Sequence, residues 1–372
     1  MNIDIIKVIQ PGMLSTIQDL GRYGYQRYGV PVSGAMDEFA MRSANLLVGN
    51  KQHLAGIEIT LVGPHLKFLS PTFIAITGAD ISPTLNGKSI SGWKAVKVEK
   101  GDELKFGKRV DGFRSYLTIS GGIEVPLVMG SRSTYLKTSI GGLNGRPLST
   151  GDILSTAPLD HDFTGLQLPP GYKSPVYGGR HTIRIIPGPQ QDRFDSDAIT
   201  TLLSSRYTIS EQSDRMGYKL KGPRIKHSEK ADVISDGNPP GTIQVPGDGN
   251  PIILLSDRGT TGGYAKIATV ISVDLGRLAQ TVPGQSLGFK CVTLPEAHNL
   301  LRIQNAALRA ISDQKSPPVG IKIEGKFIEV KNKEGDLLTS NIRNEEDHVE
   351  SKVTATIGNE SFDLALEVQN PS

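Results

Sequence analysis

SDGNPPGTIQVPGDGNPIILLSDRGTTGGYAKIATV, residues Ser235 to Val270, alternates three Gly-rich turns with short β-type runs. Almost every polar residue of this stretch falls in or beside a turn. Glycine permits φ > 0 and the close approach of another molecule to the backbone. Successive exposed N–H groups in such turns can form a nest for a carboxylate, phosphate or oxyanion. Thr260, Thr261, Gly262, Gly263 and Tyr264 place two hydroxyls and a phenol on one turn, with Lys266 two residues on. A plain β-hairpin accounts for a lone Gly-Gly pair. Several polar turns in succession favour a ligand site built on a β framework.

The wider composition agrees with that framework. The chain has 372 residues, 37% hydrophobic and 21% charged, enough to bury a core in one large or two smaller domains. Its 42 glycines and 23 prolines favour turns and strands over long helices. A net charge of +3, with no basic stripe interleaved with aromatics, gives no support to nucleic-acid or membrane binding. The single cysteine, Cys291, excludes an internal disulfide and fits a reducing compartment. Its alternating run, Leu287 to Val292, predicts a buried structural thiol. The opening MNIDIIKVIQPG reads as a strand, without a signal-peptide core, and no apolar run approaches the ~20 residues of a membrane helix. The expected location is the cytoplasm.

Strand signals dominate the chain: Thr72–Thr77, Ala95–Val98 and Tyr116–Ile119 are β-branched or aromatic runs between turn residues. Asn86-Gly87 is a two-residue hairpin signal. Three helices are expected. The first covers Met36–Val48, capped by Ser33 or Gly34 and stopped by Gly49. The others cover Asp192–Ser204 and Pro295–Ser312. A turn followed by an alternating strand recurs at Val98–Phe106 and Val282–Phe289, with turn glycines Gly101 and Gly284 183 residues apart. That spacing suggests two related β-rich units, residues 1–170 and 171–315, parted near Pro169-Pro170-Gly171. Residues 316–372 hold six Lys and Arg against eleven Asp and Glu, a net −5, whereas the remainder carries +8. They read as an acidic β appendage or tail.

Several familiar sites are missing. Gly87-Lys88-Ser89 resembles the end of a P-loop, but Ser82 stands where that motif needs glycine. No G-x-G-x-x-G follows a strand, the seven histidines lack paired ligand spacing, and there is no Met-Lys-Met biotin acceptor. Two polar constellations stand out instead. In TIQDLGRYGY and GVPVSGAMD, Asp19 and Arg22 either pair to fix a loop or line a site. Ser33 and Asp37 either cap the helix or line the same site, and Asn45 extends that polar edge. In PGPQQDRF and SDRMGYKL, Asp214 and Arg215 suit a loop-fixing pair or an anion clamp.

Taken together, TIQDLGRYGYQRYGVPVSGAMDEFAMRSANLLVGN, GADISPTLNG, SYLTISGGIEVPLVMGSRST, PGPQQDRF, SDRMGYKL and the Ser235–Val270 stretch resemble the successive motifs of one family. It is the biotin-dependent carboxyltransferase family, also called allophanate hydrolase subunit 2, which includes the C subunit of 5-oxoprolinase and the KipA-type proteins. The resemblance runs co-linearly over residues 3–312, and the acidic tail has no counterpart in it. It implies a mainly β fold with a few helices: two cyclophilin-like β-barrel units plus the small acidic C-terminal appendage.

The resemblance also implies partners: a KipI-like B subunit of 5-oxoprolinase and a LamB/YcsF-like A subunit. The activity it implies is that of the C subunit in an ATP-dependent 5-oxoprolinase opening 5-oxoproline to glutamate, with ATP used by the complex and no cofactor or metal bound by this chain alone. Two alternatives follow from the same family. One is a carboxyltransferase component of a urea-carboxylase-like enzyme using carboxybiotin. The other is a non-catalytic KipA-type regulator that binds a KipI-like partner. Both reactions act on a planar amide and develop negative charge on oxygen, which suits N–H groups, hydroxyls and cations. Lys266, Arg22 and the Thr260–Tyr264 turn are candidates for that role. Asp37 or Asp236 would accept a hydrogen bond from the amide nitrogen. Ser33, Asn45 and Gln244 complete the expected substrate contacts.

Overall fold

The β-branched runs of the first half pair into two antiparallel sheets. The computed structural model describes residues 2–157, 166–179 and 181–314, together with four strands between 320 and 366. The strands are β1 (Ile3–Gln10), β2 (Leu14–Gln18), β3 (Gly56–Thr60), β4 (His65–Phe68), β5 (Thr72–Asp80), β6 (Pro83–Leu85), β7 (Lys88–Ser89), β8 (Ala95–Val98), β9 (Glu103–Phe106), β10 (Asp111–Ile119) and β11 (Ile153–Thr156). One sheet runs β11-β1-β4-β9-β6-β7 and the other β2-β3-β10-β5-β8. Ile6, Val8, Ile57, Leu66, Ile74 and Leu117 belong to the core they share. Asn86 and Gly87 have φ of 50° and 78°, the left-handed pair that joins β6 to β7 in register with strand twist.

The second half closes on itself. Its strands are β12 (His181–Pro187), β13 (Arg206–Ile209), β14 (Gly217–Lys221), β15 (Asp232–Gly237), β16 (Thr242–Gln244), β17 (Ile252–Leu254), β18 (Thr261–Tyr264), β19 (Lys266–Val270) and β20 (Ser286–Cys291). Seven of them form a barrel, β12-β19-β16-β17-β14-β13-β20, sealed by the parallel pair β12–β20. Closure leaves no exposed edge. The remaining two, β15 and β18, pair as a separate ribbon. The turn expected at Thr260–Tyr264 is therefore mostly strand, and neither Gly262 nor Gly263 has positive φ. Gly101 and Gly284 do, at 96° and 88°, and each precedes a strand, β9 and β20.

Among the described residues there are four α-helices where three were expected. The first, α1 (Glu38–Leu47), starts later than the sequence suggests. Its N-cap is Asp37, which accepts from the Ala40 N–H at 3.1 Å, and neither Ser33 nor Gly34 caps it. Asp195 caps α2 (Ser196–Ser204) in the same manner, and the Gln191–Arg193 segment before it is a 3₁₀ turn. The unexpected helix is α3 (Ser272–Ala279), whose interior Gly276 lowers helix propensity. A Cβ on Gly276 would stand 2.5 Å from Asp37 Oδ1, so close packing accounts for the glycine. Thr293 and Glu296 form a reciprocal capping box at the start of α4 (Leu294–Asp313). Cys291, expected to be buried, is exposed at the end of β20, where the strand leaves the barrel.

Contacts group residues 1–311 into one unit and 312–372 into another. The second contains two hairpins, Gly320–Ile323 with Lys326–Glu329 and Ser351–Ile357 with Glu360–Leu366.

Within the first unit, a buried polar network joins the paired sheets to the barrel. Glu58 is the one charged residue of β3, a strand with all five positions buried. Its Oε2 accepts from Met36 N (2.8 Å) and Tyr116 Oη (2.9 Å), while Oε1 pairs with Arg215 Nη1. Arg215 also grips Asp257 through Nε (2.9 Å) and Nη2 (3.2 Å), and donates from Nη2 to Gly34 O at 2.6 Å. Asp214 instead accepts from Met216 N at 2.8 Å, so it and Arg215 do not form the anticipated pair. Burial alone would lower the Arg215 pKa, but Asp257 and Glu58 outweigh it and raise it. Gln280 adds a second joint: its Oε1 accepts from Phe113 N and Arg114 N, and its Nε2 donates to Arg114 O and Asp37 Oδ2. Removing one partner of such a pair leaves an uncompensated buried charge. Glu58→Gln is expected to cost about 3–5 kcal/mol, read as a lower urea midpoint at unchanged slope.

Candidate functional site

A cavity of about 440 Å³ lies where the two halves of the first unit meet. Tyr23, Gln26 and Val32 line it from the N-terminal side. Gly237, Asn238, Pro239, Pro240, Arg258 and Thr260 line it from the barrel side. Asn238 is the joint of this wall. Its N–H donates to Thr260 O (2.9 Å) and its Nδ2 to Gly259 O (3.2 Å). Its own carbonyl accepts from Arg258 Nε (2.6 Å) and its Oδ1 from Gln244 Nε2 (3.2 Å). Burial lowers the Arg258 pKa against the opposing influence of Tyr23 and Glu38, and burial raises that of Tyr23.

Lys266 does not line the cavity; it connects to this wall through Gln244, whose Nε2 donates to Asn238 Oδ1. It stands opposite Gln244 in the β16–β19 register, which puts the two side chains on one face. Its backbone is held by Gln190, whose Oε1 accepts from Lys266 N and whose N–H donates to Lys266 O. The side chain is wholly buried, yet Nζ has no hydrogen-bond partner among the described residues. An unpaired buried ammonium is costly, and a polar group left in that state marks a place where a ligand or water completes the bonding. Gly262 is packed against this group: a Cβ there would stand 2.6 Å from Gln244 Nε2 and 2.8 Å from Asn238 Nδ2. Close approach, not a left-handed turn, is what its glycine serves.

Arg22 and Ser33 form a neighbouring cluster. Arg22 is wholly buried, donates from Nη2 to Ser133 O, and leaves Nε and Nη1 without partners among the described residues. Burial lowers its pKa, with Asp19 and Asp257 opposing. Asp19 does not pair with it. That carboxylate is satisfied by Gly21 N (2.8 Å), Ser131 Oγ (2.7 Å), Arg132 N (2.6 Å) and Ser133 Oγ (2.5 Å). Ser33 sits at φ 58°, donates its N–H to Ser256 O, and has an unpartnered buried Oγ.

Other expected site residues lie apart from the cavity wall or are fully engaged. Asn45 is buried in the last turn of α1, donating to Leu54 O (2.7 Å) and accepting from Asn50 Nδ2 (2.9 Å). Asp236 is exposed on the ribbon and accepts from its neighbour Gly237 N. Thr261 and Tyr264 are exposed on β18, and Gly263 faces Val233 O and Ser235 Oγ. Asp37 is buried, with Oδ1 capping α1 and Oδ2 held by Gln280 Nε2 (3.0 Å) and Tyr177 Oη (3.3 Å). Asp37 thus takes the cap expected of Ser33 or Gly34. Sequence reasoning passes over Tyr23, Gln26, Gln190, Asn238 and Arg258, although all lie within the motifs quoted above. Their density of polar residues beside glycine and proline is the available signal.

The family match is direct. Residues 28–291 fit the model of the carboxyltransferase domain, subdomain A and B. The chain belongs to this carboxyltransferase domain family. It is 40% identical over 294 residues to the C subunit of 5-oxoprolinase from Escherichia coli, covering 79% of this chain and 93% of that one. The corresponding protein of Haemophilus influenzae is 36% identical over 316 residues, 84% of this chain and 100% of its own length. Urea amidolyase of Lachancea kluyveri is 36% identical over 330 residues, 83% of this chain but only 18% of that protein. Among solved structures, the Kluyveromyces lactis urea carboxylase superposes with a TM-score of 0.79 at 29% identity. That match covers 96% of this chain and 33% of the other, so this chain spans a third of that polypeptide.

Within the carboxyltransferase domain, the described residues offer no cluster of three or more His, Cys, Asp or Glu side chains fit for a metal ion. No helix among them is long and apolar enough to cross a membrane. Asp37 gives the fold, rather than the cavity, a pH signature. Burial raises its pKa above the ordinary carboxylate value, with hydrogen bonds from Gln280, Ala40 and Tyr177 opposing. A raised folded-state pKa means stability from this group is fully present below the unfolded value of about 4. That stability is lost as pH rises through the folded value. Asp37→Asn removes the titration, so the variant should gain on the parent protein as pH rises from about 4 to 7. Denaturant melts of both proteins across that range check the sign; a constant difference would mean Asp37 titrates normally.

Proposed function

We propose that this chain is the C subunit of an ATP-dependent 5-oxoprolinase assembly, converting 5-oxoproline to glutamate together with A- and B-type partners. The observation that carries this reading is the match in extent. The two 5-oxoprolinase relatives are covered over 93% and 100% of their length, whereas urea amidolyase contains the region as 18% of a larger polypeptide. In this reading the chain works as one component of an assembly, with ATP consumed by the whole.

Buried donors left unpaired support the same reading. Opening a lactam places negative charge on the carbonyl oxygen, and fixed donors in a dry site stabilise that charge. Lys266 Nζ and the free nitrogens of Arg22 are buried cationic donors with unused hydrogen-bonding capacity. Asn238 and Thr260 line the cavity, Gln244 bonds Asn238, and Gln190 fixes the Lys266 backbone. In this reading Lys266 and Arg22 carry the charge stabilisation, while the amides and hydroxyls orient the planar substrate.

A second reading has its own support. The 0.79 TM-score to urea carboxylase and 36% identity to urea amidolyase favour carboxyl transfer to an amide, with a separate biotin carrier as partner. The two are separated by reconstitution. The purified chain is expected to form no glutamate from 5-oxoproline and ATP; addition of A- and B-type partners is expected to restore it. Failure of that assembly, with carboxylation of urea by a biotin-carrier mixture, would replace the first reading by the second.

Lys266→Met tests the central donor in the reconstituted assembly. Turnover should fall at least tenfold, about 1.4 kcal/mol in the barrier. Thermal stability should hold or rise, because an unpaired buried ammonium has been removed. Undiminished turnover would return Lys266 to a structural role.

A further inference from the structure

We propose that Arg258 makes the cavity a carboxylate-binding pocket and is its specificity-determining residue. Arg258 is 9% exposed and lines the cavity. Its Nε and Nη1 are spent on the carbonyls of Asn238 (2.6 Å) and Leu255 (3.2 Å). These bonds, with Pro239 and Pro240 alongside, fix the guanidinium plane, while Nη2 has no protein partner among the described residues. No carboxylate lies within ion-pairing distance of Arg258 among them either, unlike Arg215, Arg184 or Arg114. The acid nearest in its electrostatics is Glu38, at the start of α1. Glu38 does not line the cavity, and Arg42 acts on it more strongly than Arg258 does.

A largely buried cation without a counter-ion is unfavourable until an anion joins it. The guanidinium fork suits a carboxylate, because both are planar. The other polar groups on the wall can donate to an anion: Tyr23 Oη, the Thr260 hydroxyl and the Gln26 amide, whose Oε1 is already taken by Gly24 N. The volume lies in the range of roughly 300–1,000 Å³ typical of small-molecule sites. A ligand of this class is a small acid carrying an amide. 5-Oxoproline has both groups, whereas urea has no carboxylate, so Arg258 would select between the two substrate types. That last step rests on the oxoprolinase reading; recognition of a carboxylate does not.

Calorimetry on the full chain tests the pocket with three probes: 5-oxoproline, its neutral carboxamide, and N-acetylglycine, an acid without a lactam. Both acids are expected to bind about tenfold or more tighter than the carboxamide. Arg258→Gln should abolish that preference while leaving carboxamide binding within about twofold. Equal weakening of acid and carboxamide, or no binding of either acid, overturns the proposal. Should Arg258→Gln not fold, Arg258→Lys decides: charge without the fork should reduce the preference for the acid, and an unchanged preference overturns it. Arg258-dependent binding of N-acetylglycine without glutamate formation by the assembly keeps the pocket and removes the oxoprolinase reading. Glutamate formation, with Arg258→Gln affecting acid and carboxamide alike, does the reverse.

Discussion

Everything about the cavity depends on the buried pairing of Glu58 with Arg215. One residue comes from the middle of a fully buried strand and the other from the barrel, and Asp257 supplies the second half of the salt bridge. Two apolar faces meeting here would bury area without fixing an angle. A guanidinium held by two carboxylates and the Gly34 carbonyl admits one arrangement, because each alternative leaves a charge unpaired in low dielectric. That constraint sets the N-terminal loop carrying Tyr23 and Gln26 opposite the barrel residues Asn238 and Arg258. The network's contribution is therefore to geometry at least as much as to stability, since its desolvation cost offsets much of its Coulombic gain.

A second group of buried polar atoms, on residues that do not line the cavity, shows the opposite arrangement. Around Glu58 each carboxylate oxygen has a partner, whereas Lys266 Nζ, two nitrogens of Arg22 and Ser33 Oγ are buried and unpaired. All three residues are site candidates from sequence alone. A fold that satisfies one buried network and leaves another incomplete has given up stability at the second place, which is the usual relation between a scaffold and its site.

The strands, the Asn86-Gly87 hairpin and the extent of α4 were legible because each has a local cause: β-branched alternation, a left-handed turn pair, a proline in the first helical turn. What was not legible depended on contacts distant in sequence. Gly262 and Gly263 look like turn glycines, but Gly262 lies in a strand where the side chains of Asn238 and Gln244 fill the space a Cβ would take. Gly276 hides a helix because its reason is the Asp37 carboxylate more than two hundred residues earlier. The N-terminal motif misled in a related manner. Ser33 has the chemistry of a cap, but its left-handed φ and its bond to Ser256 hold it away from the helix, and Asp37 takes the position.

Asn238 shows how the site is held together. Its backbone and side chain together make four bonds, to Arg258, Gln244, Gly259 and Thr260. Through Arg258 it governs the charged face of the cavity. Through Gln244 it reaches the cross-strand neighbour of Lys266. A neutral residue can hold a cation in this way without cancelling it, because a carbonyl oxygen accepts a hydrogen bond while contributing no net charge. An aspartate here would set a negative charge beside Arg258 and forfeit the Nδ2 donation to Gly259. The neutral side chain is what keeps the Arg258 charge available to a bound anion.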